Sequence, residues 1–388
     1  MEGHMDPMRV YQYSNPGRLI FGPGALSELK KEFNVKDKPL LITDEGVVRA
    51  GILKTVTDLL AEAGYQYGLF DRVEADPSIE VVEEAAAFYR ERGCTSIIGL
   101  GGGSSIDVAK AVAAMGAGKG SLKEYLGGKL VEGPIPLLCA IPTTAGTGSE
   151  VTGVAVISDI QSKVKAMLRG PALVPRIAVL DPLLLASVPP KLAAQTGADA
   201  ITHAIESYFV PTGQAITDAL ALSAIRMIVT NLPSFVANAR DVVAAGQMLL
   251  ASCMASMCFK NTGLALAHSI SHPVGAYFHV PHGLACALYL PAVMEFNAPA
   301  CAEKLASIAD AAGIDVRGLS PEKAAAEAVR AVRDLFAKVG LPKTFSEIGI
   351  DFKLDPKMVD DAFDMAPTKN NPRPADRNEL AALFASVE

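Results

Sequence analysis

The side chains best suited to chemistry are an aspartate and a group of histidines in the second half of the chain. Asp199 and His203 are four residues apart, and His268 and His272 repeat that spacing shortly before His282. On a helix, residues four apart share one face, so each pair can point at a common centre. One carboxylate with three imidazoles suits Fe(II) or Zn(II) and is too rich in nitrogen for Mg²⁺ or Ca²⁺. The spacing therefore predicts a divalent metal site.

The neighbours of these polar residues are mostly Ala, Leu, Ile and Gly. Burying a polar group is costly unless it is paired or binds a metal, which favours the metal interpretation. Two alternatives stay open at this point. A single histidine on an apolar helix face is usually a hydrogen-bonded core residue. A Ser/His/Asp triad is possible in composition, although the chain has no Gly-x-Ser-x-Gly segment around a nucleophilic serine.

A glycine-rich turn in the first half is a candidate phosphate site. Residues 99–111 read GLGGGSSIDVAKA, and Gly101, Gly102 and Gly103 lie between a predicted strand and a predicted helix. Without side chains the backbone can approach a phosphate, and the helix N-terminus favours negative charge. Ser104 stands where the dinucleotide pattern Gly-x-Gly-x-x-Gly has its last glycine, so a plain tight turn stays an alternative.

Two further segments have features of a ligand site. Residues 142–152, PTTAGTGSEVT, are small or carry hydroxyls and follow a predicted buried strand. Ligands bind at the carboxyl ends of parallel strands, although a solvated connecting loop is the alternative. Asp44 ends another predicted strand, where a carboxylate can bind an adenosine ribose and repel a 2′-phosphate. An aspartate in that position is also a common helix cap.

These residues are positioned by two different kinds of secondary structure. In the first half, short apolar strands alternate with helical patterns; the predicted elements are strands 40–43, 67–70, 96–100 and 136–142 and helices 46–63 and 79–93. This alternation is typical of a parallel sheet. Further along the chain the predicted elements are helices 190–208, 215–231, 245–258, 264–276, 300–312 and 321–339. We therefore predict an α/β nucleotide-binding domain over residues 8–187 and an all-α domain over residues 188–388.

The composition excludes several classes of protein. Of the 388 residues 50% are hydrophobic, which is unlike a disordered chain, and the net charge of −7 disfavours nucleic-acid binding. No uninterrupted apolar run reaches the roughly 18–20 residues of a membrane span, and no secretory signal is present. The six cysteines form no Cys-x-x-Cys pair. We expect a cytoplasmic protein with reduced thiols that binds neither nucleic acid nor membranes.

Taken together, these motifs resemble those of the iron-containing (group III) alcohol dehydrogenases. The likeness covers essentially all of residues 8–388. It rests on residues 101–110, residues 142–152, the spacing His268-x3-His272-x9-His282 with Asp199 and His203 upstream, and the Asn-Pro-Arg segment at 371–373. The resemblance implies a dehydroquinate-synthase-like architecture, NAD(H) as cofactor, Fe(II) or alternatively Zn(II) as the metal, and a homodimer.

The resemblance also assigns roles at the metal. Asp199, His203, His268 and His282 match the four metal ligands. His272 matches a histidine that lies beside the metal without binding it and is a candidate proton relay.

Further residues match the cofactor-binding positions of the family. These are Asp44, Gly101, Gly102, Gly103, Ser104, Asp107, Thr143, Thr144 and Lys165. Among them, Asp44 is the acidic residue associated with NAD rather than NADP.

The positions that match the substrate pocket show two departures. Phe259, nine residues before His268, matches a pocket-lining residue. Gly153 is small where some diol-oxidising members carry a polar side chain, so a polar contact is missing. Lys260 and Lys369 lie beside segments that match the active-site wall. They are either surface lysines or part of a basic pocket for a phosphono-, sulfo- or carboxy-aldehyde.

The implied reaction is the reversible oxidation of a small primary alcohol. Its oxygen would bind the metal, hydride would pass to the nicotinamide, and the proton would leave through His272. Cofactor and metal would meet in the cleft between the domains. Three alternatives remain: a dehydroquinate-synthase-like lyase, a metal-free maleylacetate-type reductase, and a non-enzymatic metal- or nucleotide-binding protein. The lyase family resembles a Glu/His/His pattern of ligands rather than the set found here.

Overall fold

The computed structural model describes residues 12–14, 17–34, 36–118, 120–159 and 164–387. Its elements form two compact units, Asn15–Val188 and Pro189–Glu388, and residues 12–14 group with the second unit. The sequence instead assigns residues 12–14 to the first domain. They join the helical unit because the Gln12 carbonyl accepts a hydrogen bond from Gln214, and the Ser14 amide donates to Asn261.

The first unit is built on a six-stranded parallel sheet. Its strands are β1 (Arg18–Phe21), β2 (Pro39–Asp44), β3 (Gly68–Val73), β4 (Ser96–Gly101), β5 (Leu137–Pro142) and β8 (Ile177–Leu180), in the order β1-β8-β5-β4-β2-β3. A separate antiparallel hairpin pairs β6 (Val154–Asp159) with β7 (Val164–Arg169). The sequence patterns miss β1, which is a four-residue edge strand, the four-residue strand β8, and the β6–β7 hairpin.

Five helices accompany this sheet: α1 (Glu45–Arg49), α2 (Ile52–Glu62), α3 (Ile79–Glu91), α4 (Gly103–Gly116) and α5 (Leu122–Leu126). The sequence predicts one helix over residues 46–63, but Gly51 adopts a φ of 75° and divides it into α1 and α2. At Gly99 a Cβ would lie 2.9 Å from the Ala109 side chain. The missing side chain therefore lets α4 pack closely on β4.

The second unit is helical. Its helices are α6 (Pro190–Phe209), α7 (Ala215–Ala237), α8 (Val242–Thr262), α9 (Leu266–Phe278), α10 (His282–Ala311), α11 (Pro321–Lys338), α12 (Pro356–Asp364), α13 (Ala366–Lys369) and α14 (Arg377–Ala385). The predicted helix over residues 300–312 is only the end of α10. That helix continues through Pro291 and Pro299, with non-helical dihedral angles at Cys301. The predicted fold class, an α/β domain followed by a helical one, is confirmed.

Three of the described helices, α7, α8 and α10, are long and apolar enough by length and composition to cross a membrane. The sequence does not predict such segments, because residues such as Asp218, Arg226 and Asn231 interrupt its apolar runs. In the structure α8 and α10 each pack against α6. The absence of membrane association stays a prediction.

Candidate metal centre and cofactor-binding turn

Helix α6 lies at the centre of the candidate metal site. Asp199 and His203 are one turn apart on its buried face, His268 lies on α9, and His282 is the first residue of α10. The Nε2 atoms of the three histidines lie 3.8, 3.8 and 3.5 Å from Asp199 Oδ1, for His203, His268 and His282 respectively. A tetrahedral ion with ligands about 2.1 Å away would separate neighbouring ligand atoms by about 3.4 Å. The three nitrogens therefore lie around Asp199 Oδ1 at distances close to those between ligand atoms of one metal ion.

The hydrogen bonding of these groups also fits a metal. Asp199 Oδ1 and His268 Nε2 are buried and have no hydrogen-bond partner among the described residues, although buried polar atoms are nearly always paired. Asp199 is 3% exposed and His268 is 2% exposed. A divalent cation would bind both atoms. If these residues were ordinary hydrogen-bonded core residues, the missing partners would have no explanation.

The surroundings favour the protonation states that bind metal ions. Burial alone would raise the pKa of Asp199, but His203, His282 and His268 together lower it below its ordinary value. Burial, followed by the proximity of His203, lowers the pKa of His268 well below its ordinary value. A carboxylate and a neutral imidazole are the forms that donate electron pairs to a metal.

Glu206 supports His268 and is absent from the set predicted from the sequence. Its Oε2 lies 2.7 Å from His268 Nδ1, and its carboxylate accepts hydrogen bonds from the amides of Ala265 and Ala267. With Nδ1–H donated to Glu206, the Nε2 lone pair faces the cluster, as in carboxylate–histidine–metal arrangements. Burial raises the pKa of Glu206 to about 7. The available signal was its position seven residues after Asp199, on the same helix face.

A second unpredicted residue is Cys286, one turn after His282 on α10. It is fully buried, and its Sγ lies 3.7 Å from His282 Nε2. Ligand atoms of Asp199, His268, His282 and Cys286 all lie within 4.8 Å of one another. Burial, followed by the charge of Asp199, raises the pKa of this thiol well above its ordinary value.

Two local features bring these helices together. A Cβ at Gly283 would collide with the Gln195 carbonyl, so glycine is needed for the start of α10 to approach α6. Between α8 and α9, the Asn370 side-chain amide donates to the carbonyls of Thr262 and Leu264 at 2.9 and 3.1 Å. This clamp fixes the loop that leads into the helix of His268.

The Asn-Pro-Arg segment has a packing role. The side-chain amides of Asn371 and Asn297 donate to each other, and Arg373 donates to the Phe296 carbonyl and pairs with Glu379. These contacts fasten the C-terminal segment to α10.

The other residues predicted to lie near the metal differ in how close they come to the histidines. The Phe259 ring stacks on His203 with centroids 4.5 Å apart, and the partly exposed His272 ring lies 5.4 Å from that of His282. Lys260 is half-buried, its Nζ lies 3.4 Å from the Ser14 carbonyl, and burial lowers its pKa. Lys369 is exposed at the end of α13.

In the α/β unit, the predicted glycine turn joins β4 to α4. Gly101 has a φ of 146°, and Gly102 caps α4 without a side-chain hydrogen bond. The amide of Thr143 donates to the Gly101 carbonyl at 3.0 Å, and a Cβ at Gly102 would lie 3.6 Å from the Thr144 hydroxyl oxygen. The turn and the threonine loop therefore adjoin each other, and the helix N-terminus beside them suits an anion.

Asp44 lies against this turn and also caps a helix. Its Oδ1 accepts a hydrogen bond from the Val47 amide, and its Oδ2 accepts one from the Ser105 hydroxyl. Ser104, at the first turn of α4, is partly exposed. The capping interpretation of Asp44 is thus confirmed, while its contact with a ribose stays a prediction.

Both carboxylate oxygens of Asp107 accept hydrogen bonds from other residues of the same unit. Its Oδ1 accepts a hydrogen bond from Ser149 at 2.5 Å, and its Oδ2 accepts one from the Val156 amide at 2.9 Å. The fully buried Lys110 donates to Ser149 and to the Val154 carbonyl, both at 2.7 Å. These residues tie α4 to the loop after Gly148 and to β6, so a direct cofactor contact by Asp107 stays a prediction.

Two other predicted residues lie near the β6–β7 hairpin. A Cβ at Gly153 would lie 2.6 Å from the Gly170 carbonyl, so packing of the backbone explains why this residue is small. The side chain of Lys165 lies outside the described part of the chain, and its cofactor contact stays a prediction.

Family models match both parts of the chain. A model described as iron-containing alcohol dehydrogenase matches residues 16–182, and one for the C-terminal part of the Fe-containing alcohol dehydrogenase family matches residues 193–387. The chain belongs to the iron-containing alcohol dehydrogenase family. This confirms the resemblance identified from the motifs.

Relatives of this iron-type alcohol dehydrogenase match nearly its whole length. The NAD-dependent methanol dehydrogenase of Bacillus methanolicus is 36% identical over 375 residues, which cover 96% of this chain and 98% of that protein. The lactaldehyde reductase of Escherichia coli (strain K12) is 37% identical over 373 residues, or 94% of this chain and 96% of that protein. A crystal structure of a 1,3-propanediol oxidoreductase has a TM-score of 0.94 and 35% identity, covering 98% of this chain and 100% of the other.

As a member of this family, the protein is an NAD(H)-linked, metal-dependent oxidoreductase that interconverts alcohols and aldehydes. The predicted enzyme class is therefore confirmed, together with NAD as cofactor and the need for a metal. The lyase and the non-enzymatic binding protein do not agree with this assignment.

Proposed function

We propose that the protein interconverts a small primary alcohol and its aldehyde at an ion held by Asp199, His203, His268 and His282. The observation that carries this proposal is the buried group of ligand atoms around Asp199 Oδ1, in which His268 Nε2 also has no hydrogen-bond partner. Fe(II) is the proposed ion because it suits this ligand set and the family contains iron. Zn(II) accepts the same ligands and is the alternative.

When bound, the metal polarises the substrate oxygen, and the nicotinamide exchanges hydride with the carbon that carries it. The protein supplies the arrangement of ligands. Glu206 accepts the Nδ1–H of His268 and so orients its Nε2 toward Asp199. Phe259 stacks on His203 and is proposed to form part of the substrate pocket.

His272 is the proposed carrier of the proton. Its ring lies beside His282 and is partly exposed, so a ring nitrogen can exchange a proton between the site and solvent. Histidine suits this role because its ordinary pKa is near 6.5.

The cofactor-binding part of the proposal rests on the glycine turn. The backbone of Gly101, Gly102, Gly103 and Ser104, at the N-terminus of α4, is proposed to bind the pyrophosphate. The adjoining Thr143 and Thr144 are proposed to line the cofactor. Asp44 beside the turn favours NAD, since a carboxylate repels the 2′-phosphate of NADP.

The experiment is a screen of NADH oxidation by protein loaded anaerobically with Fe(II) or Zn(II). Neutral short aldehydes are compared with phosphono-, sulfo- and carboxy-aldehydes, with chelator-treated protein as the control. We expect metal-dependent turnover of neutral short aldehydes. Turnover that survives complete metal removal would contradict the proposal and point to the maleylacetate-type alternative.

Lys260 supports an anionic aldehyde as the second candidate substrate, because it follows Phe259 on α8 and its side chain is half-buried. Lys369 is the matched control, since it is exposed. If the substrate is anionic, Lys260→Met raises KM for the anionic aldehyde alone and Lys369→Met has little effect. Equal effects on neutral and anionic aldehydes would exclude a role for Lys260 in charge recognition.

Two wider expectations belong to the same proposal. The exposed Leu19 and Phe21 on the edge strand β1 support a homodimer, which light scattering after gel filtration tests directly. Six free cysteines, five of them buried, support a cytoplasmic location, which fractionation of the source cells tests.

A further inference from the structure

The sulfur of Cys286 has a different neighbour from those of Cys258 and Cys301, two other thiols of the helical unit. Cys258 Sγ lies 3.3 Å from the Thr217 carbonyl, and Cys301 Sγ lies 3.2 Å from the Asn297 carbonyl. Cys286 Sγ instead lies 3.7 Å from the Nε2 atom of His282. Its sulfur therefore adjoins an imidazole nitrogen that is proposed to bind the metal.

The compact group of ligand atoms includes this sulfur. Atoms of Asp199, His268, His282 and Cys286 lie within 4.8 Å of one another, whereas His203 is not part of that group. His203 lies between the rings of Phe259 and His268, with centroid distances of 4.5 and 4.7 Å. An ion among the four atoms would thus be next to a thiol as well as the predicted ligands.

An independent observation indicates that this group binds a ligand. Asp199 Oδ1 and His268 Nε2 are buried without a hydrogen-bond partner. Both atoms belong to residues of the group that contains Cys286. The two unpaired polar atoms, which a cation would satisfy, therefore belong to the same compact group of residues as the soft sulfur atom of Cys286.

We propose that Cys286 Sγ is an additional ligand of the metal ion in this chain. This inference rests on the proposed function, which places the ion among Asp199 and the histidines. On binding, the sulfur donates an electron pair to the ion as a thiolate, and the S–H proton passes to the buffer. No atom changes oxidation state in this step.

A thiolate ligand changes which metals the site prefers. Soft sulfur ligands favour thiophilic ions such as Zn(II), whereas carboxylate and imidazole alone do not discriminate in this way. Cys286 therefore raises the affinity for Zn(II) relative to Fe(II). We expect Cys286→Ala to lower the ratio of the two affinities by about tenfold, at the lower end of ligand-shell effects.

Cobalt substitution is the experiment that tests the ligand directly. Metal-free protein is loaded with Co(II), bound cobalt is quantified, and the near-ultraviolet band of thiolate-to-cobalt charge transfer is recorded. We expect one cobalt per chain and this band in the wild type. Cys286→Ala and Cys286→Ser should bind cobalt without the band, and Cys301→Ser, on the same helix, is the matched control that keeps it.

The outcomes separate the two proposals. Full cobalt binding without a charge-transfer band in the wild type would overturn the role of Cys286 and leave the proposed metal site standing. The same band in Cys286→Ala would also overturn it. No cobalt binding by the wild type would overturn both.

A second measurement needs no variant and so does not depend on how the variants fold. X-ray absorption of the zinc-loaded wild type should show one sulfur neighbour at about 2.3 Å. A shell of nitrogen and oxygen alone would contradict the proposal.

Discussion

Each unit contains a cluster of buried polar side chains, and the two clusters differ in how completely they are paired. The lysine network, Asp107, Lys110, Ser149 and Thr152, lies in the α/β unit. Its lysine donates to three oxygens, and both carboxylate oxygens of its aspartate accept hydrogen bonds. The histidine cluster, Asp199, His203, His268 and His282, leaves Asp199 Oδ1, His203 Nδ1 and His268 Nε2 without a partner.

This difference separates a structural cluster from a functional one. A buried charge that is fully hydrogen-bonded holds the surrounding elements in place, whereas an unpaired one destabilises the fold until a ligand binds. The lysine network therefore positions the loop beside the glycine turn. The histidine cluster is the part of the molecule that a metal ion would complete.

The largest expected effect is a loss of activity when the aspartate of the histidine cluster is replaced. Asp199→Asn should lower turnover of the metal-loaded enzyme roughly 10³-fold, because metal polarisation is worth several kcal/mol. Bound metal should fall as well, while the metal-free variant unfolds no more easily than the metal-free wild type. Metal analysis, steady-state kinetics and urea unfolding check this. The control is Asp310→Asn, at an exposed position. If Asp199→Asn kept the wild-type metal content and rate, the histidine cluster would not be the functional metal site.

The converse change should act on stability. Lys110→Met leaves the Asp107 carboxylate without its cation and should cost about 3–5 kcal/mol of unfolding free energy. Metal bound per folded chain should stay the same, because Lys110 lies in the other unit. Urea unfolding measures the loss, with the exposed Lys123→Met as control. A loss as small as that of the control would show that the network is not structural.

The pH dependence of stability sharpens the comparison within the α/β unit. Glu150 follows Ser149, and burial raises its pKa from 4.5 to about 7 although Lys110 lowers it. Between those values the folded chain keeps a proton that the unfolded chain has lost. Stability should therefore fall as the pH rises through this window, by up to about 3 kcal/mol.

Glu150→Gln removes this contribution and should make the slope shallower, while Glu206, whose pKa burial also raises to about 7, keeps part of the pH dependence. Urea unfolding across the same window measures it, with the exposed Glu83→Gln as a control that keeps the wild-type slope. An unchanged slope in Glu150→Gln would mean that another group titrates.

The smallest expected effect concerns the support of the histidine cluster. Glu206→Gln should weaken metal binding by about 10–100-fold, because His268 loses its charged acceptor. Competition with a chelating indicator measures the affinity, and Glu303→Gln on the surface of α10 is the control. If both variants bind metal equally, Glu206 does not orient the ligand.

The sequence predicts these two clusters unequally. The spacing of Asp199 and His203 and the group around His268 are enough to identify the histidine cluster, because residues four apart share a helix face. Glu206 and Cys286 share a helix face with Asp199 and with His282, respectively, but the sequence does not show that Glu206 contacts His268 or that the Cys286 sulfur lies near the histidines, because those contacts form only when α6, α9 and α10 pack. For Asp107 the motif predicts a cofactor contact, which stays a prediction, and the structure adds hydrogen bonds to Ser149 and the Val156 amide that the motif does not predict.

The fold shows the same pattern. Buried parallel strands such as β4 and β5 are predictable because they are short apolar runs next to glycine or proline. The division at Gly51 and the continuation of α10 past Pro291 and Pro299 are not, because backbone conformation there depends on tertiary contacts. The hairpin β6–β7 is anchored by Asp107 through the Val156 amide, a long-range contact without a local signal.

The most direct test of the central claim is calorimetric titration of metal-free protein with Fe(II) and Zn(II) under anaerobic conditions. We expect one ion per chain and a thermal unfolding midpoint that rises by several degrees on binding. We also expect Lys110→Met to bind one ion still and Asp199→Asn to bind the ion much more weakly. A wild-type protein that binds no ion and shows no shift would contradict the claim that the unpaired cluster is a metal site.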